Sequence, residues 1–272
     1  MERFICKTCG VEYPESESPP RSCPICEDER QYIGWGGQQW TTMAKLREAG
    51  FRNEIREHEP GLTGIGTTPS FSIGQRALLV RTPAGNVLYD CITYLDEDTV
   101  SAVESLGGIQ AMCLSHPHFY DSMVTWSHAL GRPPIYVPEA DREHVMRPDP
   151  VISYWDGKPR ELVPGVTLIQ CGGHFDGSAV LHWASGAGGK GVLLTGDSIT
   201  VARDRRFVSF MTSYPNVIPM SPAKVRGIVA AVEPFSFERI YAGWWDSVVM
   251  ENAKEAVRQS AERYVKRIME EV

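Results

Sequence analysis

Four cysteines open the chain in two pairs, Cys6-Lys-Thr-Cys9 and Cys23-Pro-Ile-Cys26, with thirteen residues between them. A Cys-x-x-Cys turn brings two thiolates to one side of a tight knuckle, and two knuckles complete a tetrahedron for a metal ion. Gly10, directly after the first pair, can take the positive φ that such a turn needs. Pro14, Pro19 and Pro20, with Ser16 and Ser18, make the intervening stretch a loop that cannot build a core. Metal would then supply the folding energy of so small a unit. Four thiolates suit zinc and also iron.

A second set of donors lies further on. The apolar run Ala111-Met-Cys-Leu114 leads into Ser115-His116-Pro117-His118-Phe119-Tyr120-Asp121. Pro117 holds the residue before it in an extended conformation. In extended chain, residues i and i+2 point the same way, so His116 and His118 are expected to converge. His174 stands in Cys171-Gly-Gly-His-Phe-Asp-Gly177, and Asp197 ends the buried run Val192-Leu-Leu-Thr-Gly196. One histidine beside a strand is usually hydrogen-bonded or at the surface. Three histidines and an aspartate, each following a strand, make a site for Zn²⁺ or Fe²⁺.

The elements that must position these groups alternate. Residues 40–49 read as a helix stopped by Gly50, and 77–81 with 86–91 as two strands around Pro83-Ala-Gly85. Asp96 caps a helix with Val100, Val103 and Leu106 on one face, ended by Gly107-Gly108. Strands are expected at 109–115, 135–137, 166–171, 179–184, 192–195 and 239–242, with helices at 122–130 and 139–146. Ser221-Pro222 opens a further helix. From Asn252 the chain is an amphipathic helix with Val257, Ala261, Tyr264, Ile268 and Val272 on one stripe. Gly34 to Gln38 reads as a linker, dividing a cysteine unit (1–36) from one layered α/β domain (37–272).

Composition bounds the function. The chain has 272 residues, long enough to bury a core, and 34 acidic against 27 basic side chains give a net charge of −7. Neither residues 1–40, with 4 basic and 7 acidic groups, nor the remainder, with 23 and 27, offers a field for phosphate backbones. No apolar run approaches the ~20 residues that span a bilayer. Met-Glu-Arg-Phe-Ile-Cys shows no secretory pattern, so a cytoplasmic setting with reduced cysteines is expected. The expected partner is a small-molecule substrate, with no nucleic acid and no membrane. Trp35, Trp40 and Trp155 are open to two uses, the core or the interface of a homo-oligomer. Cys91, Cys113 and Cys171 read as small buried hydrophobes, and His128, His144 and His182 as structural.

The cysteine pairs resemble a zinc ribbon or a rubredoxin-like knuckle pair. His116-x-His118, Gly-His174 and Thr-Gly-Asp197, in that order, resemble the metallo-β-lactamase superfamily, as does Asp90 at the end of Leu88-Tyr-Asp90. The resemblance implies a four-layer αββα sandwich with the metal site at one edge of two sheets, and activities that are mostly hydrolytic. The superfamily pattern His-x-His-x-Asp-His reads here with Tyr120 in the place of the aspartate and Asp121 in the place of the final histidine. A later histidine, expected after Gly243, is Trp244. The first metal position (His116, His118, His174, with Asp197 to share) is therefore complete, while the second keeps Asp121 and Asp197, with Asp246 as a stand-in. A single-metal hydrolase is the expected function, in which a hydroxide attacks an ester, thioester or lactone carbonyl. Asp197 or Asp121 would orient the water, Asp90 would fix a ligand imidazole, and Tyr120 is open to two uses, a packed aromatic or, turned inward, the proton donor to the leaving group. Arg203, Arg206, Phe210, Met211, Tyr214 and Trp244 are candidates for the substrate pocket. Two other readings stay open: a mononuclear iron redox enzyme fed by a rubredoxin-like unit, and a non-catalytic metal-binding protein.

Overall fold

A computed structural model describes residues 1–270. Its frame is two large sheets. The seven-stranded sheet runs in the order Ile152–Trp155, Ile135–Pro138, Ala111–Cys113, Val87–Tyr89, Arg76–Val80, Leu62–Thr68 and Arg52–Glu59. Its first four strands are parallel and the rest antiparallel. The six-stranded sheet runs Arg160–Val163, Val166–Gln170, Ala179–Trp183, Val192–Leu194, Arg239–Tyr241 and Val248–Val249, with one parallel pair between its fourth and fifth members.

Period-two alternation explains how the sheets stack. In Arg76–Val80, Leu78 and Val80 face the other sheet while Ala77 and Leu79 face outward. In Val192–Leu194 the outer residues Val192 and Leu194 point inward and Leu193 points away. Every one of these side chains is buried, so both faces of both sheets are covered. Leu181, Trp183, Tyr89 and Cys113 belong to the core between the sheets. Helices Glu97–Ser105 and Met123–Ala129 cover the outside of one sheet, and Pro222–Val232 with Ala253–Met269 the outside of the other. The result is the expected four-layer αββα sandwich.

Three helix starts follow from their caps: Thr42, Asp96 and Ser221 accept from the backbone N–H three residues on. The first of these corrects the expected helix at 40–49. Trp40–Thr41 is instead a strand, and the helix is Met43–Glu48. That strand joins Glu2–Cys6 and Glu12–Ser16 in a small antiparallel sheet that carries the cysteines. The helix expected at 139–146 is a shorter 3-10 helix, Glu139–His144. The amphipathic stripe of Ala253–Met269 buries Val257 and Ala261; Val272 lies outside the described residues. Trp155 is in the core, Trp40 packs edge-on against Tyr13, and Trp35 is fully exposed. No helix among the described residues is long and apolar enough to cross a membrane.

Candidate metal centre

Ser115 and His116 leave the sheet directly after strand Ala111–Cys113, whose burial fixes the exit point. His116 is extended, with φ −170 and ψ 167, as its following proline requires. The chain then turns: Pro117–Phe119 is a 3-10 helix. His116 and His118 therefore meet through a tight turn and not, as the alternation argument expected, along an extended strand. His174 lies on the loop after strand Val166–Gln170, pinned where Cys171 and Gly172 both donate to the Ser178 carbonyl. Gly173 in that loop has φ +93, and a Cβ there would stand 2.5 Å from Ile228 Cδ1. Asp197 follows Gly196, whose φ is +49 and whose Cβ would fall 2.4 Å from Ser115 Oγ. Only glycine lets the Asp197 loop lie against Ser115.

The four donors converge. One atom from each of His116, His118, His174 and Asp197 lies within 4.8 Å of the other three. His116 Nε2 is 3.5 Å and His174 Nε2 is 4.0 Å from Asp197 Oδ2, and His174 Nε2 is 3.4 Å from His118 Nδ1. All four residues are buried, with exposures of 5% or less. His174 Nδ1–H donates to the Met211 carbonyl at 3.0 Å, which leaves the Nε2 lone pair facing inward. Ser115 Oγ sits 2.8 Å from His116 Nδ1 and holds the orientation of that ring. Asp90 acts one step further out, accepting from the Ser115 backbone N–H at 2.7 Å. Burial raises the Asp90 carboxyl to about 7. Burial, then the neighbouring His116, holds His174 down to about 4 and His118 well below the usual imidazole range. Both rings are thus neutral near pH 7, the state a metal ligand needs.

The donor set fits a divalent metal. His116 Nε2, which faces Asp197, is buried and finds no hydrogen-bond partner among the described residues, nor does Asp197 Oδ1, although buried polar atoms are ordinarily paired, and His118 faces the cluster through Nδ1. Three imidazoles and a carboxylate are the ligand types of zinc and of iron. The cysteine cluster passes a similar test. All four thiols are buried and free, with Cys6 Sγ 3.6 Å from Cys26 Sγ and Cys9 Sγ 3.7 Å from Cys23 Sγ. A disulfide would need about 2.05 Å, whereas four sulfurs at metal–sulfur bonds of about 2.3 Å stand about 3.8 Å apart on a tetrahedron. Gln38 Nε2 donates to Cys6 Sγ at 3.2 Å. Among the described residues these are the two clusters with metal-holding geometry.

The cysteine unit walls the His/Asp centre. A cavity of about 240 Å³ opens over His118, His174 and Asp197, and Thr8, Arg30, Gln31 and Tyr32 form part of its lining. Arg30 Nε donates to the His174 carbonyl at 2.7 Å, and its guanidinium lies 4.5 Å over the Phe175 ring. Asn216 Nδ2 donates to the Glu29 and Gln31 carbonyls, and Ser213 Oγ to that of Arg30. Ile73, Tyr214, Pro215 and Trp244 complete the opposite wall.

Other residues singled out from the sequence are placed elsewhere. Asp121, with φ +42, turns toward the cysteine unit: Gln75 Nε2 donates to it at 2.6 Å, Thr93 Oγ1 also donates, and Glu12 N–H binds its carbonyl. Tyr120 is buried in the outer core, with a hydroxyl that finds no partner among the described residues. Asp246 is exposed and pairs with Arg205. Arg203 and Arg206 are exposed, and neither lines the cavity. Phe210 packs in the core against Tyr264. Met211 contributes its carbonyl to His174, while Tyr214 and Trp244 do line the cavity. The sequence reading missed Ser115, Thr8, Arg30 and Tyr32; a hydroxyl adjoining His116 was the one available signal.

No family model matches the sequence. The chain is 50% identical over 273 residues to the uncharacterized protein YmaE of Bacillus subtilis (strain 168), covering 100% of this chain and 99% of that protein. Among solved structures it is similar to the metallo-β-lactamase FIM-1 from Pseudomonas aeruginosa in its mono-zinc form, with a TM-score of 0.55 and 15% identity over 78% of this chain and 96% of that one. It is also similar to a metallo-β-lactamase from Hirschia baltica, with a TM-score of 0.54, 17% identity and coverage of 78% and 97%. For VMB-1 the TM-score is 0.58, with 12% identity and coverage of 80% and 98%. Identity at this level speaks for the fold, and the full-length match to YmaE for descent: the protein belongs to the YmaE family and has the metallo-β-lactamase fold, with a four-cysteine cluster at its N-terminus.

Proposed function

We propose that the protein is a hydrolase that holds one zinc ion on His116, His118, His174 and Asp197 and cleaves a small ester, thioester or lactone. The observation that carries this reading is the convergence of four buried donors, with unpartnered atoms among them, at the floor of a cavity. Zinc in such a setting supplies Lewis acidity, bringing the pKa of water to about 7 and polarising a carbonyl oxygen. The chain supplies the rest. Asp197 Oδ1 has no partner among the described residues and would accept a hydrogen bond from an attacking water. Tyr214 fixes that aspartate by donating its hydroxyl to the Asp197 carbonyl at 2.8 Å. Ile73, Pro215 and Trp244 offer apolar surface to the substrate. The cavity is smaller than the about 300–1,000 Å³ of drug-sized ligand sites, which suits a small substrate. Asp121 and Asp246 point away from the centre, which supports a single ion. The second zinc would sit on the four cysteines as a structural ion.

Elemental analysis of wild type and His116→Ala, with an ester, thioester and lactone panel, tests this. The expected result is about two zinc per chain falling to about one, with turnover lost by more than the about 10–100-fold that outer partners cost. Iron at the His/Asp centre, or a fully loaded protein inert on the whole panel, would overturn it.

A further inference from the structure

Arg76 begins strand Arg76–Val80 and is only 1% exposed. Its backbone N–H donates to the Gly243 carbonyl at 2.7 Å. No group among the described residues accepts a hydrogen bond from its Nε, Nη1 or Nη2. The side chain lies in an aromatic slot. Its guanidinium is 5.6 Å from the Trp245 ring centre, and the His58 ring is 5.5 Å from Trp245 and 5.3 Å from Tyr241. His58 Nε2 is likewise buried and unpartnered. A Cβ on Gly64 would stand 2.7 Å from His58 Nε2, 2.7 Å from Trp245 Cζ3 and 3.1 Å from Arg76 Cδ, so all three side chains meet over one bare stretch of backbone.

No carboxylate among the described residues pairs directly with the cation, and Asp246 attracts it only through space. Glu59 is occupied by the Tyr241 hydroxyl at 2.8 Å, the Ala187 N–H at 2.7 Å and Arg239 at 3.2 Å. Asp246 is exposed and paired with Arg205, and Arg56, stacked 4.5 Å over Trp245, is itself paired with Glu54. Burial lowers Arg76 only to about 9, so it stays charged at neutral pH, while burial first, then Arg76, holds His58 to about 4 and leaves it neutral. A buried cation without an acceptor is among the most costly arrangements in a protein interior. Water can answer its hydrogen bonds but not its charge.

We propose that Arg76 and His58, roofed by Trp245, form an internal binding site for one small monovalent anion of the chloride or formate class. The planar guanidinium offers a fork of N–H donors, His58 adds an Nε2–H in its neutral form, and Trp245 screens the ion from bulk water. This site does not depend on the hydrolase reading.

The test uses the metal-loaded protein at constant ionic strength. Chloride, bromide, formate and, as a bulky control, gluconate are titrated into wild type and Arg76→Met, with melting temperature as one readout. The second readout is tryptophan fluorescence, assigned with Trp245→Phe. The three small anions are expected to raise the wild-type melting temperature saturably by about 3 °C, and bromide to quench the Trp245 component. Both effects should be absent with gluconate and in Arg76→Met. Equal shifts in wild type and variant, or small anions no better than gluconate, would overturn the site. Should Arg76→Met fail to fold, bromide-soaked wild-type crystals decide. An anomalous peak within hydrogen-bond reach of the guanidinium supports the proposal, and water alone there refutes it.

Discussion

Ser115 touches three parts of the centre at once. Its N–H is held by Asp90, its carbonyl accepts from Ala179 N–H at 2.8 Å, and its hydroxyl lies against His116 Nδ1. In Ser115→Ala the two backbone bonds stay and the imidazole loses the hydroxyl that holds its orientation. Metal affinity at the His/Asp centre should fall about 10–100-fold while the fold melts as before, measured by chelator competition and by thermal denaturation. Unchanged affinity would mean that packing alone orients the ring. His58 gives a second residue-scale expectation. Its folded pKa of about 4 lies below the ordinary value of 6.5, so the folded state binds fewer protons. The stability tied to it is complete above pH 6.5 and is lost as pH falls from there toward 4. Since His58 is half-buried, the loss in wild type relative to His58→Phe should be on the order of 1–2 kcal/mol, read as the difference between two denaturant series across that range. A parallel pair of profiles would refute it. The donors themselves are legible in the sequence because ligand chemistry is a matter of residue type and order. The directions of Tyr120 and Asp121 are not, because a 3-10 turn and a left-handed backbone at Asp121 rotate those side chains out of the pattern.

Elements show the same division. The three capped helices and the doubly buried strands are readable because caps and apolar runs are local signals. The strand Arg52–Glu59 is not: it reads Arg-Asn-Glu-Ile-Arg-Glu-His-Glu, with Ile55 its one aliphatic residue, and lies at a sheet edge where pairing with Leu62–Thr68 decides its conformation. Tertiary context also makes the segment after the second cysteine knuckle part of the site. Arg30 is fixed by both Asp28 oxygens at 2.8 Å, and from there it binds the His174 carbonyl. Arg30→Met keeps a long apolar stem over Phe175 but drops that bond. We expect a loss of about 1–3 kcal/mol and faster amide exchange confined to residues 171–178 and 28–32, with the metals of both clusters retained. Exchange unchanged in 171–178 would show that the loop holds itself.

At the scale of the molecule, the cysteine unit and the sandwich share one core. Cys6, Cys9, Val11, Tyr13, Cys23 and Ile25 pack in the same apolar cluster as Ile65, Leu79, Leu88 and Met112 of the seven-stranded sheet. Polar contacts repeat the connection, with Ser72 Oγ donating to the Thr8 carbonyl and the Glu12 N–H to that of Asp121. A glycine is required there, since a Cβ on Gly10 would fall 2.2 Å from Asp121 Oδ1. A small unit packed in this way, even one that a metal would fold, cannot melt without uncovering part of the outer core. Calorimetry of the metal-loaded protein should therefore give a single transition, and Cys23→Ser should lower the whole of it. The cavity over His118 and His174 would lose its Thr8, Arg30 and Tyr32 wall in the same step. Two resolved transitions, the earlier one abolished by Cys23→Ser and the later one untouched, would show an independent module. A metal on the cysteines would then stabilise only its own loop and leave the cavity wall to be held by Arg30 and Asn216.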